Sequence, residues 1–163
     1  VVRPHLTGMK RYVERQLRAR SRDGFATLED VYGRRFTLAE EDYYKGFVTL
    51  IQGCEASMFK QALLSVYGEV SSFNEETGGD NASVLYTIHD EIEVECRIDT
   101  DFVSLKRKVQ TAMESEGSRF RVPFAVDVSY STRHWADANY GAGGRERRWT
   151  SDEAVLAEVR ADG

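Results

Sequence analysis

The residues best suited to chemistry cluster between Tyr86 and Glu95, in the stretch YTIHDEIEVE, where His89, Asp90 and Glu91 separate two short apolar runs. In the second run Ile92, Val94 and Cys96 alternate with Glu93, Glu95 and Arg97, the pattern of a strand with one wet face. Val84 to Ile88 and Ile92 to Cys96 therefore read as the arms of a hairpin, with an imidazole and two carboxylates at its tip. An aspartate held rigidly at a sheet rim can reach a divalent ion. Hard oxygen ligands on a stiff support are what Mg²⁺ takes, with waters and substrate phosphates completing its octahedron. One carboxylate does not make a metal site, however, and aspartate is common in turns for local hydrogen-bonding reasons. Taken alone, the tripeptide favours an ordinary polar turn.

The elements that must position this tip follow from periodicity. Residues 5 to 22 read as an amphipathic helix with Leu6, Met9, Val13 and Leu17 at three- and four-residue spacing, ended by Gly24. Phe25 to Leu38 alternates around Gly33 and reads as an irregular hairpin. A helix is expected from near Glu40. Around Gln52 and Gly53 it is expected to kink or give way to a second helix, running to about Tyr67 with Ala56, Phe59, Leu63 and Val66 as its apolar stripe. Residues 71 to 82, rich in Ser, Asn, Gly and acid, read as a mobile surface loop. After the acid-tipped hairpin, Asp101 can cap a helix with the stripe Phe102, Leu105, Val109, Ala112 and Met113. A last strand would carry Phe124, Val126, Val128 and Tyr130. A Gly- and Arg-rich linker from Gly141 then leads to a short helical tail with Ser151 as its N-cap. Helices and antiparallel hairpins in this order indicate an α+β fold.

Composition narrows the function classes. With 163 residues, 41% hydrophobic and 30% charged, the chain can bury a core, which excludes a disordered tail, a collagen-like fibre and a disulfide scaffold. No apolar run approaches the ~18 residues of a membrane span. Cys54 and Cys96, with neither paired spacing nor nearby histidines, read as reduced, small buried hydrophobes in a cytosolic setting. The net charge of -5 conceals an asymmetry: residues 1–60 carry a basic excess of three and residues 61–163 an acidic excess of eight. Lys10, Arg11, Arg15, Arg18, Arg20 and Arg22 concentrate the basic excess, with Glu14 as the only acid among them. Such a cluster is either a solvated helix face or a local phosphate-neutralising patch, and a negative total charge does not exclude the latter.

The surroundings of the hairpin give the tripeptide more weight. The helix opening with Ile51, Gln52 and Gly53 (IQGCEASMFKQALL) lies upstream; an amphipathic helix and then VPFAVDVSYSTRHW follow. This series resembles the C-terminal palm region of family A DNA polymerases, in which a QGTAAD-like helix precedes a hairpin bearing VHDE, a helix, a VPL-V-V strand and a tryptophan. Upstream, GFATLEDVYGRRFTL looks like the family's GYV-TL-GRRR hairpin, and Pro4 and Tyr12 fall in its pre-hairpin helix. The resemblance runs over roughly residues 4 to 139 in unbroken order. It implies a palm-like antiparallel sheet with a metal-binding hairpin, packed against helices, in residues 1–139, followed by a flexible linker and helical tail in 140–163.

Carried over residue by residue, the resemblance makes Asp90 one of two palm aspartates that bind the catalytic Mg²⁺ ions and Glu91 an auxiliary carboxylate. His89 would lie near the primer terminus, and Gln52 would reach the minor groove at the primer end. Arg34 and Arg35 would lie near the DNA backbone, with a solvated turn as the competing reading. Tyr44 and Val48 stand where the family usually has an arginine and an asparagine, so the minor-groove set is thinned. The implied reaction is template-dependent nucleotidyl transfer by a two-metal mechanism, with primer–template DNA and dNTP as partners, in the cytoplasm of a bacterial cell or phage-infected host. No DYSQIEL-like segment carrying the first aspartate and no RxxxKxxxFG-type helix for the triphosphate is present. The chain alone is therefore expected to be inactive and to need the N-terminal polymerase portion, in cis as a longer polypeptide or in trans as a split enzyme; the non-methionine start favours the former. The alternative is a noncatalytic nucleic-acid-binding or interaction module on a palm scaffold, working through Lys10 to Arg22. A metal-dependent nuclease is weaker, because no second acid cluster has a comparable setting.

Overall fold

The computed structural model describes residues 4–120, 122–132 and 147–162. Trp135 and the glycine-rich residues 141–146 of the expected linker lie outside these described residues. The chain divides into two compact units, residues 1–61 and 62–163, and the long helix α2 (Gly46–Thr77) contributes to both.

In the first unit, helix α1 (Pro4–Arg20) realises the expected amphipathic pattern through Val13 and Leu17. Strands β1 (Phe25–Glu29) and β2 (Arg35–Ala39) form an antiparallel hairpin in the register Phe25↔Ala39 to Glu29↔Arg35. A 3-10 segment, Glu40–Lys45, precedes α2. Leu17, Ala26 and Tyr43 are buried together, with Val13, Leu28 and Leu38 packed around them. Gly46 lies against this core: a Cβ there would stand 2.5 Å from Leu17 Cδ1. By contrast Leu6, Met9 and Tyr12 on the N-terminal half of α1 are exposed.

Helix α2 corrects the sequence reading twice. It does not give way to a second helix at Gln52 and Gly53, and it continues through residues 71–77, whose polar composition marks them as loop. The cause is tertiary burial. Val66, Val70 and Phe73 recur at four- and three-residue spacing and are at most 5% exposed, whereas Ala56, expected in the stripe, is exposed. The helix stops at Gly78, whose φ of 74° suits the left-handed residue after a helix C-terminus and whose N–H bonds to Asn74 O at 3.0 Å. Asn74 then ties the helix end to the next strand: its Oδ1 accepts from the N–H groups of Asn81 and Ala82, and its Nδ2 donates to Ala82 O.

In the second unit, β3 (Ala82–Ile88) and β4 (Glu91–Cys96) pair antiparallel. Helix α3 (Phe102–Ser115) is capped as expected, the Asp101 carboxylate accepting from Ser104 N at 3.0 Å. Leu105 and Ala112 of α3 join Val66, Val70, Phe73 and Ala82 in one core, lined by Val84, Ile92, Val94 and Cys96. Burial, with the Glu95 charge adding to it, raises the Cys96 thiol above its ordinary pKa. The strand expected around Phe124 to Tyr130 does not form. Among the described residues, 123–128 have no ladder partner, and a bridge between Ser129 and Arg148 is the one strand-like pairing of this segment. The segment is held by side chains and loop backbone instead: Val126 N donates to Glu114, and Trp149 N to Val128 O.

The helical tail forms as helix α4 (Asp152–Asp162), with Ser151 Oγ accepting from Ala154 N as its cap. It is docked, with Val155 and Val159 buried. Trp149 meets the rings of Phe102 and Tyr130 edge-on, and its indole N–H and the Arg107 guanidinium both donate to the Asp152 carboxylate, which they hold below its ordinary pKa. No described helix is long and apolar enough to cross a membrane. Phe73→Ala should lower the unfolding free energy by about 3–5 kcal/mol in a denaturant titration, the cost of emptying a packed core site, where a surface loop would lose little.

Candidate active-site hairpin and nucleic-acid contacts

The pairing Ile88↔Glu91 leaves only His89 and Asp90 as the loop between β3 and β4. Two-residue loops need a left-handed residue at the first central position to match the strand twist, a place usually taken by glycine or asparagine. His89 takes it at φ 54°. Such a conformation costs a non-glycine residue on the order of 1 kcal/mol or more, and it persists because the strand register on both sides imposes it. A bulge between Val84 and Tyr86 absorbs Leu85 and re-phases the end of β3, so that Thr87 rather than Tyr86 faces Ile92. The tip is thus shorter than the residue pattern alone implies: Glu91 belongs to β4 and begins it. The arms are half-buried rather than fully buried, and His89, Asp90 and Glu91 are all exposed.

The hairpin brings His89, Asp90 and Glu91 together. Among the described residues neither the Asp90 nor the Glu91 carboxylate has a hydrogen-bond or ion-pair partner, so these oxygens are available to a ligand. Hard, exposed carboxylates on adjacent residues fit Mg²⁺ chemistry. No group of three His, Cys, Asp or Glu residues able to hold a metal occurs among the described residues.

The other candidates lie in the first unit. Arg34 and Arg35 follow the turn between β1 and β2, and Gln52 is exposed on α2. Sequence reasoning passes over the residue that shapes this turn, Asp30. Gly33 N donates to Asp30 O at 3.1 Å, and the Asp30 Oδ1 accepts from the backbone N–H of Tyr32 and of Arg34, each at 2.9 Å. Its Oδ2 accepts from Ser57 Oγ on α2 at 2.7 Å. Asp30 is 7% exposed and Ser57 8%. Aspartate three residues before a glycine marks a type I turn, so DVYG carries a legible signal for the turn, though none for its helix partner.

A second contact lies one helical turn from Ser57. Gly53 faces the ring of Phe36, whose Cζ would stand 2.2 Å from an added Cβ. The glycine of the IQG motif is therefore a packing requirement, and it explains why Gln52 beside it has a fixed place on the surface. Phe36 carries the Arg34 guanidinium 5.0 Å over its ring centroid. Arg35 is instead paired across the strands, its Nε 2.9 Å from Glu29 Oε2. Of the two arginines, Arg34 is the one without an ion pair among the described residues.

The model of the DNA polymerase family A matches residues 5–137, and the chain belongs to that family, whose members are nucleotidyltransferases and generally Mg²⁺-dependent. No curated protein and no solved structure matches the chain.

Burial acts to raise the Asp30 pKa, but the bonds from Ser57, Arg34 N and Tyr32 N and the Arg34 charge outweigh it, and the carboxyl lies below its ordinary value. A lowered folded-state pKa stabilises above the unfolded value of about 4 and is lost as pH falls through the folded value. The wild-type chain should therefore lose unfolding free energy below about pH 4 more steeply than Asp30→Asn. At pH 7, Asp30→Ala and Ser57→Ala should each cost about 1–3 kcal/mol, with non-additive losses in the double variant, as read by denaturant titration.

Proposed function

We propose that this chain supplies the C-terminal palm portion of a DNA-directed DNA polymerase, with residues 1–139 as that portion and 140–163 as an added tail. The single observation that supports this most strongly is the family match spanning the GRR turn, the QG helix and the HDE hairpin in one run. The tail's helix α4 packs within the second unit rather than trailing from it.

Asp90 is the residue that would hold Mg²⁺, with Glu91 beside it. In a two-metal site the bound ions lower the charge cost of the attacking primer hydroxyl and of the leaving pyrophosphate. The chain's own residues do the positioning. Asp90 presents its oxygens at the end of a two-residue turn whose register prevents slippage. Glu91, one residue along, adds negative charge without being part of the loop. His89, strained into the left-handed region, sets the direction in which the tip points and would lie near the primer terminus. Gln52 offers both a donor and an acceptor to the minor groove, where the acceptors shared by all base pairs report pair shape rather than sequence. Arg34, with its guanidinium over the Phe36 ring, would meet a phosphate; Arg35 would first have to leave Glu29. The first aspartate and the triphosphate-binding helix would come from the N-terminal polymerase portion, and dNTP would bind only to the completed enzyme.

The test is primer extension by the purified chain alone and with the N-terminal polymerase portion added. The chain alone should give no template-dependent extension. The complemented enzyme should extend, and Asp90→Ala should reduce its rate by at least about 10³-fold while leaving duplex binding intact. Extension by the isolated chain, or equal extension with Asp90→Ala, would contradict the proposal; the second outcome favours the noncatalytic module.

A further inference from the structure

Helix α1 carries a feature that the hairpin chemistry does not use. Gly8, Arg11, Arg15 and Arg18 fall at three- and four-residue spacing along one stripe, turned away from the buried Leu17 face. With Glu14 they line a shallow groove of about 510 Å³, far more than a single water requires. Three arginines meet one glutamate there, and their charges are not equally free. Arg18 is committed: it pairs with Glu14 at 3.0 Å and Glu40 at 3.3 Å and lies over the Tyr43 ring. Arg11 and Arg15 are exposed and have no ion-pair partner among the described residues. Glu14, the one acid in the groove, is already engaged by Arg18, so it leaves the other two uncompensated.

Gly8 is one of the residues lining this groove. A mid-helix glycine costs helix stability, and no packing requires it here: a Cβ at that position would meet nothing within 4 Å. The helix backbone is consequently bare beside the two free guanidinium groups, where a bulky anion can approach closely.

We infer that the Gly8–Arg11–Arg15 stripe of α1 is a second nucleic-acid contact, taking the phosphate backbone of duplex DNA independently of base sequence and of the Asp90 hairpin. Arg11 and Arg15 are about 6 Å apart along the helix axis at its 1.5 Å rise. A strand of B-DNA carries a phosphate about every 3.4 Å of its own axis, so two phosphates of one strand come within reach of the pair. Guanidinium groups suit this task because their planar donors match phosphate oxygens two at a time. The net charge of -5 does not oppose such binding, because the local stripe supplies the counterion release.

The test compares two double variants of equal charge by fluorescence anisotropy with a labelled primer–template duplex over a salt series. Arg11→Ala/Arg15→Ala removes the stripe; Lys10→Ala/Arg20→Ala removes two exposed cations of α1 that do not line the groove. Alanine is a strong helix former, so both variants should keep the thermal transition of the parent. The first should bind about tenfold or more weakly, and its slope of log affinity against log salt should flatten by about two, one for each phosphate no longer neutralised. The second should change affinity less than about threefold with its slope unaltered. Equal losses in the two variants would mean that total charge alone matters, and no loss in the first would mean that the stripe binds nothing; either result overturns the inference. The anisotropy series is read on the chain without primer extension, so a failed primer-extension reconstitution leaves this result standing, and the reverse.

Discussion

Register is the constraint on which the candidate site depends. Because Ile88 pairs with Glu91, two residues must reverse the chain, and the first must accept the left-handed region whatever its side chain. A one-residue slip would place Ile92, Val94 and Cys96 on the wet face and empty the lining of the second core, so the hydrophobic pattern of β4 locks the tip as firmly as any local contact does. The bulge at Leu85 lets β3 keep Ala82 and Val84 on the core while the end of the strand is turned to a different phase. The acid tip is therefore specified from a distance, by burial at the far end of its own strands.

The first unit reaches the same result by another route. Its hairpin is fastened to α2 at two small residues one helical turn apart: Gly53 accepts the Phe36 ring, and Ser57 donates to the Asp30 carboxylate. A larger residue at either place would push the turn away from the helix. The exposed groups flanking these contacts, Gln52 and Arg34, owe their positions to them, Gln52 through Gly53 and Arg34 through Phe36. A buried carboxylate is costly unless fully hydrogen-bonded, and Asp30 meets that condition with three donors.

Much of this is legible in the residues, and the exceptions have physical causes. The acid hairpin, the helix N-caps at Asp101 and Ser151 and the turn at Gly33 declare themselves through local chemistry: alternation, a short acceptor side chain, a residue free to take positive φ. The continuation of α2 through residues 71–77 does not, since polar residues dominate that stretch and only Val70 and Phe73 extend the stripe of Val66; burial of those two overrides composition. The strand expected near Val126 has the alternation but no partner strand among the described residues, and alternation cannot supply one. Asp30 stands in a recognisable turn, yet its bond to Ser57, 27 residues away, has no signature in sequence. Of the candidate site, residue types and hairpin placement can be read directly, whereas the strained His89, the ion pair that engages Arg35 and the packing role of Gly53 need coordinates.

The central claim is that Asp90 binds metal, and a change of metal preference tests it more directly than a loss of rate. Asp90→Cys replaces a hard oxygen ligand with a soft sulfur at the same position, and thiolate ligands favour softer ions over Mg²⁺. In the complemented enzyme this variant should be inactive with Mg²⁺ and regain primer extension when Mn²⁺ or Cd²⁺ is supplied. Equal inactivity with every metal in a folded, duplex-binding variant, or full activity with Mg²⁺, would contradict the assignment of Asp90 as a ligand.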